Sequence, residues 1–200
     1  MAFGQLLTRL GLSHGSTGNI SVRLDDGWLI TPTNSRLGGL DPARIAKLGE
    51  DGWHLAGDAP SKEAFLHQCV YEMRPKARAI VHLHSTYSVA ASCLDGVDPE
   101  NVLPPITAYY VMRVGKLPLI PYYPPGDKAL AEAIGARAGD HHAVLLANHG
   151  PVVAGNSLAD AVYAIEELEE TARLFLLLKE HPTRLLTEAQ VAELRKRFGV

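Results

Sequence analysis

The sequence predicts an α/β domain whose sheet is at least partly antiparallel. Three features predict it. Glycine-containing tight loops at Asp25-Asp26-Gly27, Glu50-Asp51-Gly52 and Asn148-His149-Gly150 each join two short apolar runs, as β-hairpins do. Residues 60–73, 128–138 and 157–180 carry helix start signals and helical patterning. The runs Ala79-Ile80-Val81 and Ala143-Val144-Leu145-Leu146-Ala147 are apolar enough to be buried strands.

Two hundred residues, 46% of them hydrophobic, suffice for one domain with a substantial core, here taken as 1–200. A formal net charge of −3 argues against nucleic acid or an anionic membrane as partner. No run of apolar residues is long enough to span a bilayer, and the N-terminus lacks the apolar core and cleavage site of a signal peptide. Two cysteines, Cys69 and Cys93, make a disulfide scaffold improbable, and a reduced cytoplasm is the default expectation. Nine histidines against four phenylalanines point weakly to metal or proton chemistry.

Taken in order, residues 5–10 read as the end of a short helix closed by Gly11. The small, glycine-rich stretch Ser13–Asn19 is either an ordinary loop or a nest of backbone N–H groups for an anion. Residues 20–24 and 28–31 form the first hairpin, which runs into a second hydroxyl-rich loop, Thr31–Gly39, containing Arg36. Asp41-Pro42 starts a turn or helix, and residues 46–48 and 53–55 form the second hairpin.

Pro60-Ser61-Lys62-Glu63 opens a helix to about Met73, with apolar positions 65, 66, 69, 70 and 73 as its stripe. Glu63 borders that stripe. It is either an N-terminal charge favouring the helix dipole or a working carboxylate. Ser61 and Lys62 stand at the same helix start, where anions bind readily. Residues 85–94 read as helix, and 96–126 as irregular structure with one or two short strands. Pro124-Pro125-Gly126-Asp127 caps a helix over 128–138. Residues 143–147 and 151–155 pair through a turn holding His149, which is either a ligand or a histidine bonded to nearby backbone. Ser157-Leu158-Ala159-Asp160 opens a long helix to about Glu180, whose Glu166, Glu167, Glu169 and Glu170 read as a solvated or inter-subunit face. Thr187 and Gln190 cap a final helix.

The chemistry centres on His82-Leu83-His84. In a strand, residues two apart point to one side with Cα atoms about 6.6 Å apart, so both imidazoles can reach one cation at about 2.0–2.1 Å per nitrogen. A chance pair of surface histidines is the alternative. With His149 as a third nitrogen, the set leaves positions open, as catalytic rather than structural zinc sites do. Such an ion polarises a carbonyl, and a carboxylate such as Glu63 can move a proton on the adjacent carbon. The hydroxyl-rich loops with Lys62 and Arg36 would anchor an anionic tail. A cupin also shows a His-x-His pair, but its glutamate should follow within a few residues, where Ser88 and Val89 stand, and the helices argue against an all-β fold.

The ordered motifs GNISVR, ITPT, PSKE, VHLHS and ANHG resemble the class II aldolase/adducin family over about residues 11–180. The resemblance implies an α/β/α sandwich with a central, mostly antiparallel sheet, and a four-fold symmetric homotetramer. It implies zinc, or another divalent metal, on His82, His84 and His149. Glu63 then matches the acid/base glutamate, which also ligates the metal in the resting site. The phosphate-binding loops match Thr17, Gly18 and Asn19, then Thr31 to Asn34 with Thr33 and Asn34, then Ser61 and Lys62.

Within the family, SHGSTGNISVR, TPTNSRLG, GDAPSKEAFLH, HLHSTYSVA, YYVMRVGKLPLIPYYPPGD and LLANHGPVVAG are similar to the branch that decarboxylates 3-oxo-tetronate 4-phosphates. Aldolases of the family commonly carry serine where Lys62 stands and glycine where Asn34 stands, and both departures argue against aldolase activity. The implied reaction yields dihydroxyacetone phosphate and CO2 through a metal-stabilised enediolate. A sugar-phosphate aldolase or 4-epimerase, and a non-catalytic adducin-like assembly module, are the alternatives. Tyr109, Tyr110, Tyr122 and Tyr123 are candidates for a second proton donor. His14, His67, His141 and His142 are expected in structural or surface positions.

Overall fold

The computed structural model describes residues 1–124 and 126–198. Pro125, within the proline run expected before the 128–138 helix, lies outside the described residues.

The elements follow the chain as α1 (Ala2–Arg9), β1 (Asn19–Leu24), β2 (Gly27–Ile30), β3 (Ala46–Leu48), β4 (His54–Ala56), α2 (Ala64–Met73), β5 (Ala79–His82), α3 (Thr86–Ser92), α4 (Ala108–Arg113), β6 (Leu119–Ile120), α5 (Lys128–Ala138), β7 (Ala143–Leu146), β8 (Gly150–Gly155), α6 (Leu158–Leu178) and α7 (Glu188–Phe198). Eight strands form one sheet in the order β4-β3-β2-β1-β5-β8-β7-β6. Every pairing is antiparallel except β6 with β7. The expected mostly antiparallel α/β sandwich is therefore present.

Alternation along the strands divides the core between the two faces. Ala79 and Val81 of β5 join Ile20, Val153, Ile165 and Leu168 in one apolar layer under α3, α4 and α6. Ile80 joins Trp28, Val152, Leu66, Val70 and Ile134 in the other, under α2 and α5. His82 has the parity of Ile80, so it ends its strand on the α2 side of the sheet. Asn19 is its cross-strand partner.

Five expectations need correction. Helix α2 begins at Ala64, and Glu63 is its N-cap rather than part of its first turn. Its buried side chains are Leu66, His67, Val70 and Tyr71, while Met73 is 46% exposed. The stripe is rotated because polar side chains of β1 call for polar partners on the helix above them. His84 lies past the end of β5, not within it. Residues 108–113 form α4, where irregular structure was expected; Thr107 accepts from the Tyr110 N–H and starts it. Glu169 is buried rather than solvated: its carboxylate accepts from the N–H groups of Tyr87 and Ser88 and from the Ser88 hydroxyl, capping α3 from the adjacent α6 on the same face of the sheet.

Candidate metal centre and anion loops

Four side chains converge where three elements meet. Glu63 comes from the start of α2, His82 from the end of β5 with His84 just beyond it, and His149 from the β7–β8 turn. The turn is held tightly against the histidine segment. Gly150 has φ 153°, and a Cβ there would stand 2.2 Å from the Leu83 carbonyl oxygen, so only glycine allows this approach.

The His84 Nε2 lies 3.1 Å from the His82 Nε2 and 3.0 Å from the His149 Nε2. Glu63 Oε1 lies 3.0 Å from the His149 Nε2, and its Oε2 lies 3.5 Å from the His82 Nε2. One ligand atom from each of the four residues falls within 4.8 Å of all the others. Ligands on about 2.05 Å bonds at tetrahedral angles would be about 3.3 Å apart, close to this spacing.

The protonation pattern also fits a cation. Burial pushes the His82 pKa down, and it pushes that of His84 down to about 4. Both rings are thus neutral at ordinary pH. His82 donates from Nδ1 to the Pro151 carbonyl oxygen at 2.8 Å, which leaves the Nε2 lone pair facing the other three groups. Burial pushes the Glu63 carboxyl up, but His82, His149 and Asn19 together outweigh it and hold the group well below the usual carboxylate range. The Asn19 contribution is independent of imidazole charge: its Nδ2 donates to Glu63 Oε2 at 2.7 Å.

The three hydroxyl-rich segments lie side by side. Thr31 accepts at Oγ1 from the Ile20 N–H and at its carbonyl from the Ser61 N–H. Pro32 and Pro60 form an isolated bridge, and the Thr33 N–H donates to the Ala59 carbonyl. Gly18, at φ 79°, packs against the histidine strand, where a Cβ would stand 2.9 Å from the His82 carbonyl oxygen. Lys62 and Asn34 are exposed, and Thr33 and Ser61 are half-buried. Thr17 donates its hydroxyl to the His14 carbonyl, within its own loop. The placement of Asn19 differs from expectation. Its side chain is buried beneath the loop and bonded to Glu63 and His67, instead of facing outward for phosphate.

The tyrosines separate cleanly. Tyr110 is fully buried in the core and its phenol is pushed up by burial. Tyr109 is exposed and lines a different cavity, with Tyr163, Glu166 and Glu170. Tyr122 and Tyr123 line a cavity of about 620 Å³ together with His84 and His149. His14 is exposed, and His142 bonds the Arg113 carbonyl.

Sequence reasoning missed Ser21, His67 and Tyr71, which continue the network inward from Asn19. The sequence holds each half of the signal but not their pairing. Residues 63, 67 and 71 repeat every four positions on one helix face, and 19, 21 and 23 share one strand face.

The fold and this site define a layered α/β enzyme type with a histidine–carboxylate centre beside hydroxyl- and glycine-rich loops. Residues 1–176 match the Class II Aldolase and Adducin N-terminal domain family, and the chain belongs to that family. It is 53% identical over 186 residues to the 3-oxo-tetronate 4-phosphate decarboxylase of Escherichia coli strain K12, covering 92% of this chain and 88% of that one. The decarboxylase of the same name from Haemophilus influenzae is 51% identical over 195 residues, covering 97% and 93%. The L-fuculose phosphate aldolase of Escherichia coli strain K12 is 33% identical over 196 residues, covering 96% and 88%. Among solved structures, YgbL, a putative aldolase/epimerase/decarboxylase from Escherichia coli, superposes with a TM-score of 0.95 at 49% identity, covering 97% and 94%. No helix among the described residues is long and apolar enough to cross a membrane.

Proposed function

We infer that this protein is a metal-dependent carboxy-lyase that converts 3-oxo-tetronate 4-phosphate to dihydroxyacetone phosphate and CO2. The observation that carries the reading is a Glu63–His82–His84–His149 cluster beside an exposed Lys62, in a chain 53% identical to a decarboxylase of that name.

The substrate has its carboxylate β to a ketone, so the C1–C2 bond can break with the electron pair delocalised toward the C3 oxygen. A divalent ion held by His82, His84 and His149, taken here as zinc, supplies the Lewis acidity that stabilises that charge. Glu63, a carboxylate in the resting site, would take up a proton from solvent and deliver it to C2 once CO2 has left, which completes the balance to dihydroxyacetone phosphate. Thr17, Gly18, Thr33, Asn34 and Ser61 are assigned to the phosphate. Lys62 is assigned to one of the two substrate anions. Asn19 serves Glu63 instead.

The reading treats residues 1–200 as one domain acting as a cytoplasmic homotetramer, in keeping with family resemblance. A fuculose-phosphate-type aldolase or a 4-epimerase is the second reading, favoured by the 33% identity to the aldolase. Purified, metal-loaded protein assayed against a panel of phosphorylated keto acids separates them. CO2 release with dihydroxyacetone phosphate supports the decarboxylase. Aldehyde release or isomer exchange without CO2 supports the second reading. Absence of tightly bound metal would revive the assembly-module alternative.

A further inference from the structure

Asn19 donates to Glu63, and the orientation of that amide has to be fixed by something. A primary amide can turn about its last torsion and exchange its oxygen for its nitrogen. With the oxygen facing Glu63, two acceptors would oppose each other in a buried place, at a cost of about 1–3 kcal/mol or more. Asn19 is 3% exposed, so water offers little relief.

We propose that His67 is a positioning residue: it locks the Asn19 amide so that its N–H faces Glu63, as the central link of a one-directional chain of hydrogen bonds from Tyr71 to Glu63. The inference rests on the reading of Glu63 as proton carrier. His67 is fully buried, and both its ring nitrogens are used in line. Its Nε2 lies 2.5 Å from Asn19 Oδ1, and its Nδ1 lies 2.7 Å from Ser21 Oγ. Ser21 Oγ lies in turn 2.8 Å from the Tyr71 hydroxyl.

With a neutral ring, one proton assignment satisfies every link. The Tyr71 hydroxyl donates to Ser21, Ser21 donates to Nδ1 of His67, Nε2–H donates to Asn19 Oδ1, and Asn19 Nδ2–H donates to Glu63 Oε2. Burial keeps the ring neutral, with a pKa of about 3. The far end is anchored as well. The Arg23 guanidinium stacks 4.4 Å from the Tyr71 ring centroid and donates to the Tyr71 carbonyl at 2.6 Å. A residue serving only to fill space at position 67 would need no nitrogen at either end.

The test combines His67→Leu, His67→Gln, Asn19→Ala, Ser21→Ala and the Asn19→Ala/His67→Leu double variant. Steady-state CO2 release is measured with metal-loaded protein, and side-chain amide NMR of Asn19 with metal-free protein. We expect His67→Leu to lower kcat about 10- to 100-fold with KM within about twofold. His67→Gln, which keeps a donor, restores most of the loss. The double variant is no slower than Asn19→Ala alone, because His67 acts through Asn19. In metal-free His67→Leu the Asn19 amide signals shift from their wild-type positions.

Losses that add in the double variant, or Asn19 signals unmoved by His67→Leu, would overturn the proposal. If His67→Leu does not fold, Ser21→Ala carries the test. It should lower kcat several-fold at unchanged KM and shift the Asn19 signals, and no change in either overturns the proposal. A wild-type protein that releases no CO2, yet whose Asn19 signals still respond to His67→Leu, refutes the functional reading and upholds the positioning.

Discussion

His82 donates from Nδ1 to the Pro151 carbonyl oxygen at 2.8 Å across the β5–β8 ladder, and this bond decides what the ring can do. A carbonyl oxygen can only accept, so the proton sits on Nδ1 and the Nε2 lone pair points at His84 and Glu63. Three imidazole nitrogens and a carboxylate then face one another with few protons to share. A divalent cation relieves that arrangement. Removing it should lower activity and stability together. A ligand present at 100 times its dissociation constant stabilises the folded state by about 2.7 kcal/mol. Chelator-treated protein should therefore melt several degrees lower, and added Zn2+ should restore both the melting temperature and CO2 release. His84→Ala should show neither response to Zn2+. Melting curves that ignore chelation would rule out a tight site.

Glu63 is held from two directions, by the Asn19 amide and by its own backbone N–H, which donates to Ser61 Oγ at 3.3 Å. Glu63→Gln preserves shape and an acceptor for Asn19 but removes the ability to carry a proton. The expected outcome is a kcat lower by about 10²- to 10⁴-fold, with the three imidazoles still able to hold metal. Metal analysis beside single-turnover CO2 release checks it. A variant with near-normal turnover would remove Glu63 from the proton step.

The hairpins, the buried strands and helices α5, α6 and α7 were legible because their signals are local: Gly27 and Gly52 at turns, Asp127 and Ser157 as caps, Thr187 with Gln190. The cluster was legible because His82 and His84 are two apart. What could not be read was the content of the layer between β1 and α2. The alternation Asn19, Ser21, Arg23 suits a strand with one wet face, and nothing local says that His67 and Tyr71 will cover it. Only the pairing of a strand face with a helix face 44 to 50 residues away turns these polar residues from surface into network. Glu169 was misread for the same reason, since its partners in α3 lie 81 and 82 residues away.

Gly18 packs the Ser13–Asn19 loop against the His82 strand, and its role separates from that of Gly11. Both have positive φ, 79° and 74°, but a Cβ at position 18 would meet the His82 carbonyl at 2.9 Å, whereas one at position 11 meets nothing within 4 Å. Gly11→Ala should cost about 1 kcal/mol of backbone strain and leave KM unchanged. Gly18→Ala should cost more, because the loop must also move away from His82, and it should raise KM for the phosphorylated substrate several-fold. Urea midpoints and KM values for the two variants check this. Equal effects on KM would mean that the contact with His82 is incidental.

Lys62 is exposed beside Ser61 at the start of α2, so its ammonium is free to meet a substrate anion. A hydrogen bond to a charged group is worth about 1.5–3 kcal/mol, or about 10- to 150-fold in kcat/KM. Lys62→Ser should reduce kcat/KM for the keto acid within that range while leaving thermal stability unchanged. A carboxylate contact predicts that Lys62→Ser leaves the inhibition constant of a phosphorylated ketone lacking the carboxylate unchanged; a phosphate contact predicts that it weakens that inhibition as well. Unchanged kcat/KM for the keto acid would remove Lys62 from the site.

His67 also sets a pH dependence that is separable from catalysis. Burial depresses its pKa from 6.5 to about 3 in the folded protein. Below pH 6.5 the unfolded chain binds a proton at this position that the folded chain does not. Stability is therefore fully present above that pH and falls as the pH drops toward 3. Each pH unit in this window costs up to 1.36 kcal/mol, so the loss at pH 5 is about 2 kcal/mol. Glu63, whose folded pKa is depressed below 4.5, adds its own loss only at lower pH. His82, His84 and His142 are likewise depressed, but they are present in both wild type and His67→Gln, so their contributions cancel in the difference. Urea unfolding of metal-free protein at pH 7 and pH 5 should show wild type losing about 2 kcal/mol more than His67→Gln. Parallel losses in the two proteins would mean that His67 takes up its proton in the folded state as readily as in the unfolded chain, and that the ring is not sealed from solvent between Asn19 and Ser21.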